Sequence, residues 1–240
     1  MNKLIVGLGA AFAFSLLACG NSAADPAAKG GPASTPTTQP APQKMADEDH
    51  EGSPEVPNVA PEGLAIATFA GGCFWCMEGS FEHLGDGIVA VVSGYTAGHV
   101  PHATYHQVGS GTTGHAEAIR VVYDPKKISY PKLLDAFWHN VDPTQADGQF
   151  CDHGSQYRTG IYVHDAEQRT QAEASKVALE ASRKLPARIV TEIADATAFY
   201  AAEPYHQDFY KTNASHYQRY RSGCGRDARL ESLWGESAGH

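Results

Sequence analysis

From Leu64 onward, apolar and polar positions fall into blocks of strand or helix length. Leu64 to Ala70 is an apolar run closed by Gly71-Gly72 and predicts a buried strand. Phe74 to Leu84 has helical character and stops at Gly85-Asp86-Gly87. Ile88 to Ser93 is nearly unbroken, partly β-branched and suited to a strand covered on both faces. A loop rich in Gly, His, Thr and Tyr follows from Gly94 to His115, long enough to imply a functional role. Ala116 to Tyr123 alternates, and the alternation puts Glu117 on the same side as Ile119 and Val121. Tyr130 to Asn140 reads as an amphipathic helix with Leu133, Leu134, Phe137 and Trp138 as its apolar stripe. After a second loop, Val141 to Arg158, comes a strand from Thr159 to Val163. Asp165 and Gln168 then mark the start of a helix that keeps Ala174, Val177, Ala178, Ala181 and Leu185 in register. Arg188 to Ala194 is the last expected core strand.

The resulting β-α-β-β-α-β-α-β order predicts an α+β fold, a two-layer α/β sandwich with a ferredoxin-like mixed sheet. From Phe199 the chain is aromatic and polar, and is expected to wrap the domain as a long C-terminal coil. The folded domain is placed at residues 64–234, with 235–240 as a disordered tail.

The amino-terminal quarter has a different pattern. Lys3 precedes an apolar stretch from Leu4 to Ala18 that has the form of a secretory signal and is short for a membrane span. Leu16-Leu17-Ala18-Cys19 resembles a bacterial lipobox, which makes residues 1–18 the expected signal peptide and Cys19 the expected lipidation site. Residues 19–63 hold eight of the fourteen prolines, between Pro26 and Pro61, amid Ala, Gly, Ser and Thr. Such a segment buries too little apolar surface to offset its ordering entropy and is expected to be a disordered tether. Together these features predict a protein lipid-anchored in the cell envelope, facing the periplasmic or extracellular side. The formal net charge is -9, the first 63 residues holding three lysines against seven acids. With no basic stripe or cluster, nucleic-acid binding is not expected.

Cys73 carries the chemistry. It follows two glycines at a strand-to-helix junction, where unpaired helix amides favour an anion such as a thiolate. Cys73-Phe74-Trp75-Cys76 is also a Cys-x-x-Cys, a pattern suited to thiol redox work or metal binding. An acid on the apolar face of a strand, as Glu117 is, has its charged form disfavoured and can donate a proton near neutral pH.

Gly72-Cys73-Phe74-Trp75 resembles the active-site signature of the A-type peptide-methionine sulfoxide reductases. Gly94-Tyr95, Thr104-Tyr105, Thr113 to Glu117, Val122 to Pro125, Asp152 to Arg158 and Tyr205 to Asp208 resemble further family positions in the same order. The likeness spans roughly residues 64 to 234. It implies reduction of methionine (S)-S-oxide in peptides, proteins or the free amino acid, by a monomer with no bound cofactor and no metal. Cys73 would be the nucleophile and Glu117 the proton donor. Tyr105 and Tyr157 would bind the sulfoxide oxygen, Asp152 would order the site, and Phe74 and Trp75 would seat the methyl group.

A sulfenic acid on Cys73 must be recycled, and many relatives use a cysteine that follows a tyrosine in the tail. This chain has Tyr217-Gln218 there. Cys76, one helical turn from Cys73, is the favoured resolving cysteine. Cys224, between Gly223 and Gly225, is the alternative, and Cys151 ranks last. The disulfide then needs a thioredoxin-like donor, in a compartment where thiols tend to be oxidised. Two other readings stand beside this one: a generic thiol-disulfide oxidoreductase using Cys73 and Cys76, and a metal-binding surface lipoprotein using Cys151-Asp152-His153 and scattered histidines.

Overall fold

A computed structural model describes residues 52–235. The expected signal peptide, Cys19, most of the expected tether and residues 236–240 lie outside the described residues. Within them the chain runs β1 (Glu55–Val56), β2 (Ala65–Gly71), α1 (Phe74–Glu82), β3 (Ile88–Thr96), α2 (Tyr105–Gly109), β4 (Ala116–Tyr123) and α3 (Tyr130–His139). A short β5–β6 hairpin (Gly148–Gln149, Asp152–His153) and a 3-10 turn (Ser155–Tyr157) precede β7 (Thr159–Val163), α4 (Ala166–Ser182), β8 (Glu192–Asp195) and β9 (Phe199–Ala201). A second 3-10 turn (Pro204–His206) leads to α5 (Phe209–Thr212), α6 (Ala214–Gly223) and α7 (Arg226–Trp234).

Seven strands form one sheet in the order β1-β9-β3-β4-β2-β7-β8. All neighbours are antiparallel except β7 and β8, which run parallel with α4 as their crossover, so the sheet is mixed. The inner four strands, β3-β4-β2-β7, have the connectivity of a split βαβ sandwich, as the alternation of elements predicts. The larger core packs α1, α3 and α4 against one sheet face through Phe69, Met77, Phe81, Ile119, Val121, Leu133 and Phe137. Asp165 caps α4 by accepting from Gln168 N at 2.7 Å.

Three expectations change. First, the folded part reaches back beyond residue 64. Glu55–Val56 pairs with Phe199–Tyr200 as an edge strand, and Ser53 is buried. The cause is Arg120 on β4, which is almost fully buried. Its guanidinium donates to Val56 O at 2.9 Å, to Pro57 O at 3.1 Å and to Asn58 Oδ1, and stacks over Phe199 at 4.3 Å. A buried charge needs those acceptors, and an edge strand tolerates the flanking prolines that made the segment read as tether. Second, the tail is not a coil: Phe199–Ala201 adds a strand beside β3, and three helices follow it. Third, the last expected strand begins later, at Glu192, because the chain just before it bonds elsewhere: Val190 N donates to Pro143 O at 2.8 Å. Among the described residues no helix is long and apolar enough to cross a membrane.

Candidate active site

The β2–α1 junction is built as the glycine pair requires. Gly72 has φ +79°, and a Cβ there would sit 2.5 Å from Gln149 Cβ. A Cβ on Gly71 would meet Met77 Sδ at 2.5 Å. The space the two glycines leave is thus filled by protein, which brings α1 and the β5 loop against the turn. Cys73 then takes the N-cap position of α1.

Glu117 lies on β4, 2% exposed, and accepts from Phe74 N at 3.1 Å. The free amide at the start of α1 is therefore spent on the carboxyl group that faces Cys73. Burial pushes Glu117 up to about 8, against the smaller opposing pull of the Phe74 amide. The carboxyl group is protonated at neutral pH, as the placement of an acid on an apolar face predicts.

The two sulfurs of Cys73 and Cys76 are both free thiols, both buried, and in hydrogen-bond contact with each other. Burial raises Cys73 well above the usual thiol range, and the neighbouring Cys76 and Glu117 add to this; Tyr220 alone pulls the other way. Cys76 is lowered to about 6, first by its hydrogen bond from Cys73 and then by the charges of Arg226 and Arg221. This differs from the expectation of a Cys73 thiolate made by the helix start. Of the two, Cys76 is the more readily ionised and Cys73 the one that burial holds protonated. Arg226 is 1% exposed and is anchored by donating to Gly71 O at 3.1 Å and Asn140 O at 2.8 Å. Arg221 donates to Tyr217 OH at 3.0 Å, and that phenol in turn hydrogen-bonds Cys76.

Around this pair the fold collects residues from distant loops. Tyr105 opens α2, and its ring lies 6.5 Å from Phe74 and 4.3 Å from His206. Its backbone N–H donates to Glu203 Oε1 at 2.7 Å. Tyr157 ends the first 3-10 turn, half-buried and close enough to Glu117, Asp152 and Cys73 that their charges add to the burial that raises its phenol. Asp152 is raised by burial and accepts from Tyr220 OH. Phe74 is 1% exposed and forms the back wall with Tyr95 and His206, while the partly exposed Trp75 stacks on Phe209 at 3.7 Å. Thus Cys73, Phe74, Trp75, Cys76, Tyr105, Glu117, Asp152 and Tyr157 converge on one site.

Cys224 does not present a free thiol. It caps the end of α6 and forms a disulfide with Cys151. The donor atoms of Cys151, Asp152 and Cys224 lie within 4.8 Å of one another, yet two of the three are sulfurs bonded to each other and offer no thiolate to a metal.

Several site residues carry no assigned role from the sequence. His206 accepts from Trp75 Nε1 on Nδ1 at 3.1 Å, and burial lowers it to about 3, so it is neutral. Glu203 accepts from Tyr95 OH at 2.8 Å as well as from Tyr105 N. The aromatic and polar cluster at residues 203–210 was the signal available for these. Arg226 and Tyr220 had none, because a lone Arg or Tyr in a polar tail reads as surface.

A buried cysteine pair with a protonated carboxyl group and two phenols beside it defines a thiol oxidoreductase that removes an oxygen, because bare dithiol exchange uses neither acid nor phenols. Comparison with known proteins agrees. The family profile described as peptide methionine sulfoxide reductase matches residues 65–238, and the chain belongs to that family. It is similar to peptide methionine sulfoxide reductase MsrA of Bacillus pumilus, 52% identical over 177 residues that cover 74% of this chain and 99% of the relative. MsrA of Listeria monocytogenes is 52% identical over 176 residues, 73% of this chain and 99% of the relative. Among solved structures, reduced Mxr1 of Saccharomyces cerevisiae aligns with a TM-score of 0.59 and 35% identity, covering 64% of this chain and 88% of that one. Methionine sulfoxide reductase A of Corynebacterium diphtheriae aligns with a TM-score of 0.57 and 31% identity, covering 64% and 77%.

Proposed function

We propose that the protein reduces methionine (S)-S-oxide in peptides and proteins, with Cys73 as nucleophile, Glu117 as proton donor and Cys76 as resolving cysteine. The observation that carries this reading is the protonated Glu117 set on the first amide of the helix that bears both free thiols.

The chemistry balances from the resting state. Cys73 passes its proton to the Cys76 thiolate and attacks the sulfoxide sulfur, while Glu117 protonates the oxygen, held by Tyr105 and Tyr157. Oxygen transfer leaves methionine, a Cys73 sulfenic acid and the Glu117 carboxylate. Cys76 then attacks the Cys73 sulfur, the hydroxyl leaves as water with the proton Cys76 had carried, and a Cys73–Cys76 disulfide remains. Arg226, Arg221 and Tyr217 favour the thiolate that this second step needs. Cys224, bound to Cys151, is not offered to the sulfenic acid.

A two-electron thiol donor of the thioredoxin type regenerates the pair. We further propose that the chain acts in the cell envelope, held by a lipid on Cys19, on oxidised proteins there. The lipobox-like Leu16 to Cys19 and the Pro-rich segment after it support this reading.

The test is turnover of the separate S and R epimers of a methionine sulfoxide substrate with dithiothreitol. S-epimer reduction that Cys73→Ser abolishes is expected. R-epimer preference, or activity retained in Cys73→Ser, contradicts the proposal.

A further inference from the structure

Tyr220 reaches the active site from the tail, on α6. Its ring stands edge-on to Trp75 with centroids 5.8 Å apart, its hydroxyl donates to Asp152 Oδ2, and the same oxygen is in hydrogen-bond contact with the Cys73 sulfur. The phenol therefore lies between the nucleophile and a carboxyl group.

The helix that carries it is lightly packed. Of the ten residues of α6 only Tyr217 is buried, and no side chain caps its start. Such a helix does not by itself hold a phenol within hydrogen-bond tolerance of a reacting atom. A covalent tie supplies the constraint. Cys224 caps α6 and is bonded to Cys151, whose own N–H donates to Cys224 Sγ at 3.2 Å. Cys151 immediately precedes Asp152, the phenol's acceptor. The disulfide thus joins the helix of the donor to the strand of the acceptor.

We propose that Tyr220 is a third hydroxyl of the active site, acting directly on the Cys73 sulfur, and that the Cys151–Cys224 disulfide is the staple that keeps it there. The phenol has one proton and two neighbours that take it. While Cys73 is a thiol, the Asp152 side chain accepts it. When Cys73 becomes a thiolate, rotation of the hydroxyl aims the same proton at sulfur and stabilises the attacking anion. The staple stays oxidised throughout and exchanges no electrons with the Cys73–Cys76 pair. This inference rests on Cys73 being the reductase nucleophile.

The test uses the full-length chain with Cys76→Ser, without reductant, and follows iodoacetamide alkylation of the Cys73-bearing peptide by mass spectrometry as a function of pH. Tyr220→Phe, which keeps the ring against Trp75, is expected to raise the alkylation midpoint by about one pH unit, the scale of one hydrogen bond to an anion. Replacing the staple by Cys151→Ser with Cys224→Ser should raise it similarly, and adding that pair to Tyr220→Phe should change nothing further. An unchanged midpoint in Tyr220→Phe overturns the proposal, as do staple and phenol effects that simply add. Should the serine pair fail to fold, Tyr220→Phe alone decides. Alkylation needs no sulfoxide, so a failure of the reductase reading would show separately, as absent turnover in the otherwise unmodified protein.

Discussion

Burying Glu117 has two opposite consequences. Held at about 8, the carboxyl group is ready to donate at neutral pH, and its readiness falls as pH rises through that value. The rate of sulfoxide reduction in single turnover should therefore decline above pH 8. Glu117→Gln, which cannot donate a proton, should lose about 10²-fold or more in rate and show no such limb. A wild-type rate that stays flat from pH 7 to pH 9.5 would argue against Glu117 as the acid. The same burial costs stability. The folded pKa lies above the unfolded one, so the folded state holds the extra proton between about 4.5 and 8, and stability falls as pH rises across that window. Glu117→Gln should then be more stable than wild type at pH 7, on the order of 2 kcal/mol, with the gap closing towards pH 4.5. Denaturant melts at the two pH values check the sign. Trp75 depends on its neighbours too: its N–H rests on a neutral His206, whose Nε2 is itself buried without a hydrogen-bond partner among the described residues.

At the level of elements, the tail and the amino-terminal edge do more than the sequence suggested. Arg120 draws Val56, Pro57 and Asn58 onto the sheet, so a chain trimmed to begin at Leu64 leaves a buried guanidinium without those acceptors. Such a chain should be destabilised by about 2–4 kcal/mol relative to one beginning at Asp47. Equal melting of the two would show that the edge strand is ornamental. The inner strands and the helices α1 and α3 were legible from their apolar runs and faces, and Glu117 was legible because it breaks such a face. Helix α4 was legible from its Asp165 start but not from its expected stripe, since Ala174, Val177, Ala178 and Ala181 are exposed and Gln168 and Ala172 are the residues it buries. The Cys73 to Cys76 signature stands on contiguous residues, so it too could be read directly. Glu55–Val56 was hidden because two residues among prolines show no period, and the strand forms only against Phe199–Tyr200 and the Arg120 guanidinium, both distant in sequence. Tyr220, Arg221 and Arg226 were hidden for a related reason: their work depends on where α6 and α7 dock, and a polar helix carries no mark of that. The Cys151–Cys224 pairing joins positions whose proximity only the folded chain reveals.

For the whole molecule, buried thiols and an exposed Cys151 divide the four described cysteines into two sets. Cys73 and Cys76 lie inside as free thiols and are the pair proposed to change oxidation state, whereas Cys151 and Cys224 are joined near the surface. An oxidising envelope suits the second pair, and a donor of electrons must serve the first. If the chain is anchored through Cys19, Cys19→Ala should move it from the membrane fraction to the soluble fraction while leaving turnover of a soluble substrate unchanged. Membrane retention in that variant would remove the lipid anchor from the picture.

The joint action of Cys73 and Cys76 is tested most directly by a single turnover without external reductant. Protein whose Cys73 and Cys76 are reduced is mixed with excess methionine (S)-S-oxide, the methionine formed is counted, and the disulfides are mapped by mass spectrometry. One methionine per chain with a new Cys73–Cys76 disulfide and an intact Cys151–Cys224 bond is the predicted result; no methionine, or a disulfide joining Cys73 to Cys224 or Cys151, would contradict it.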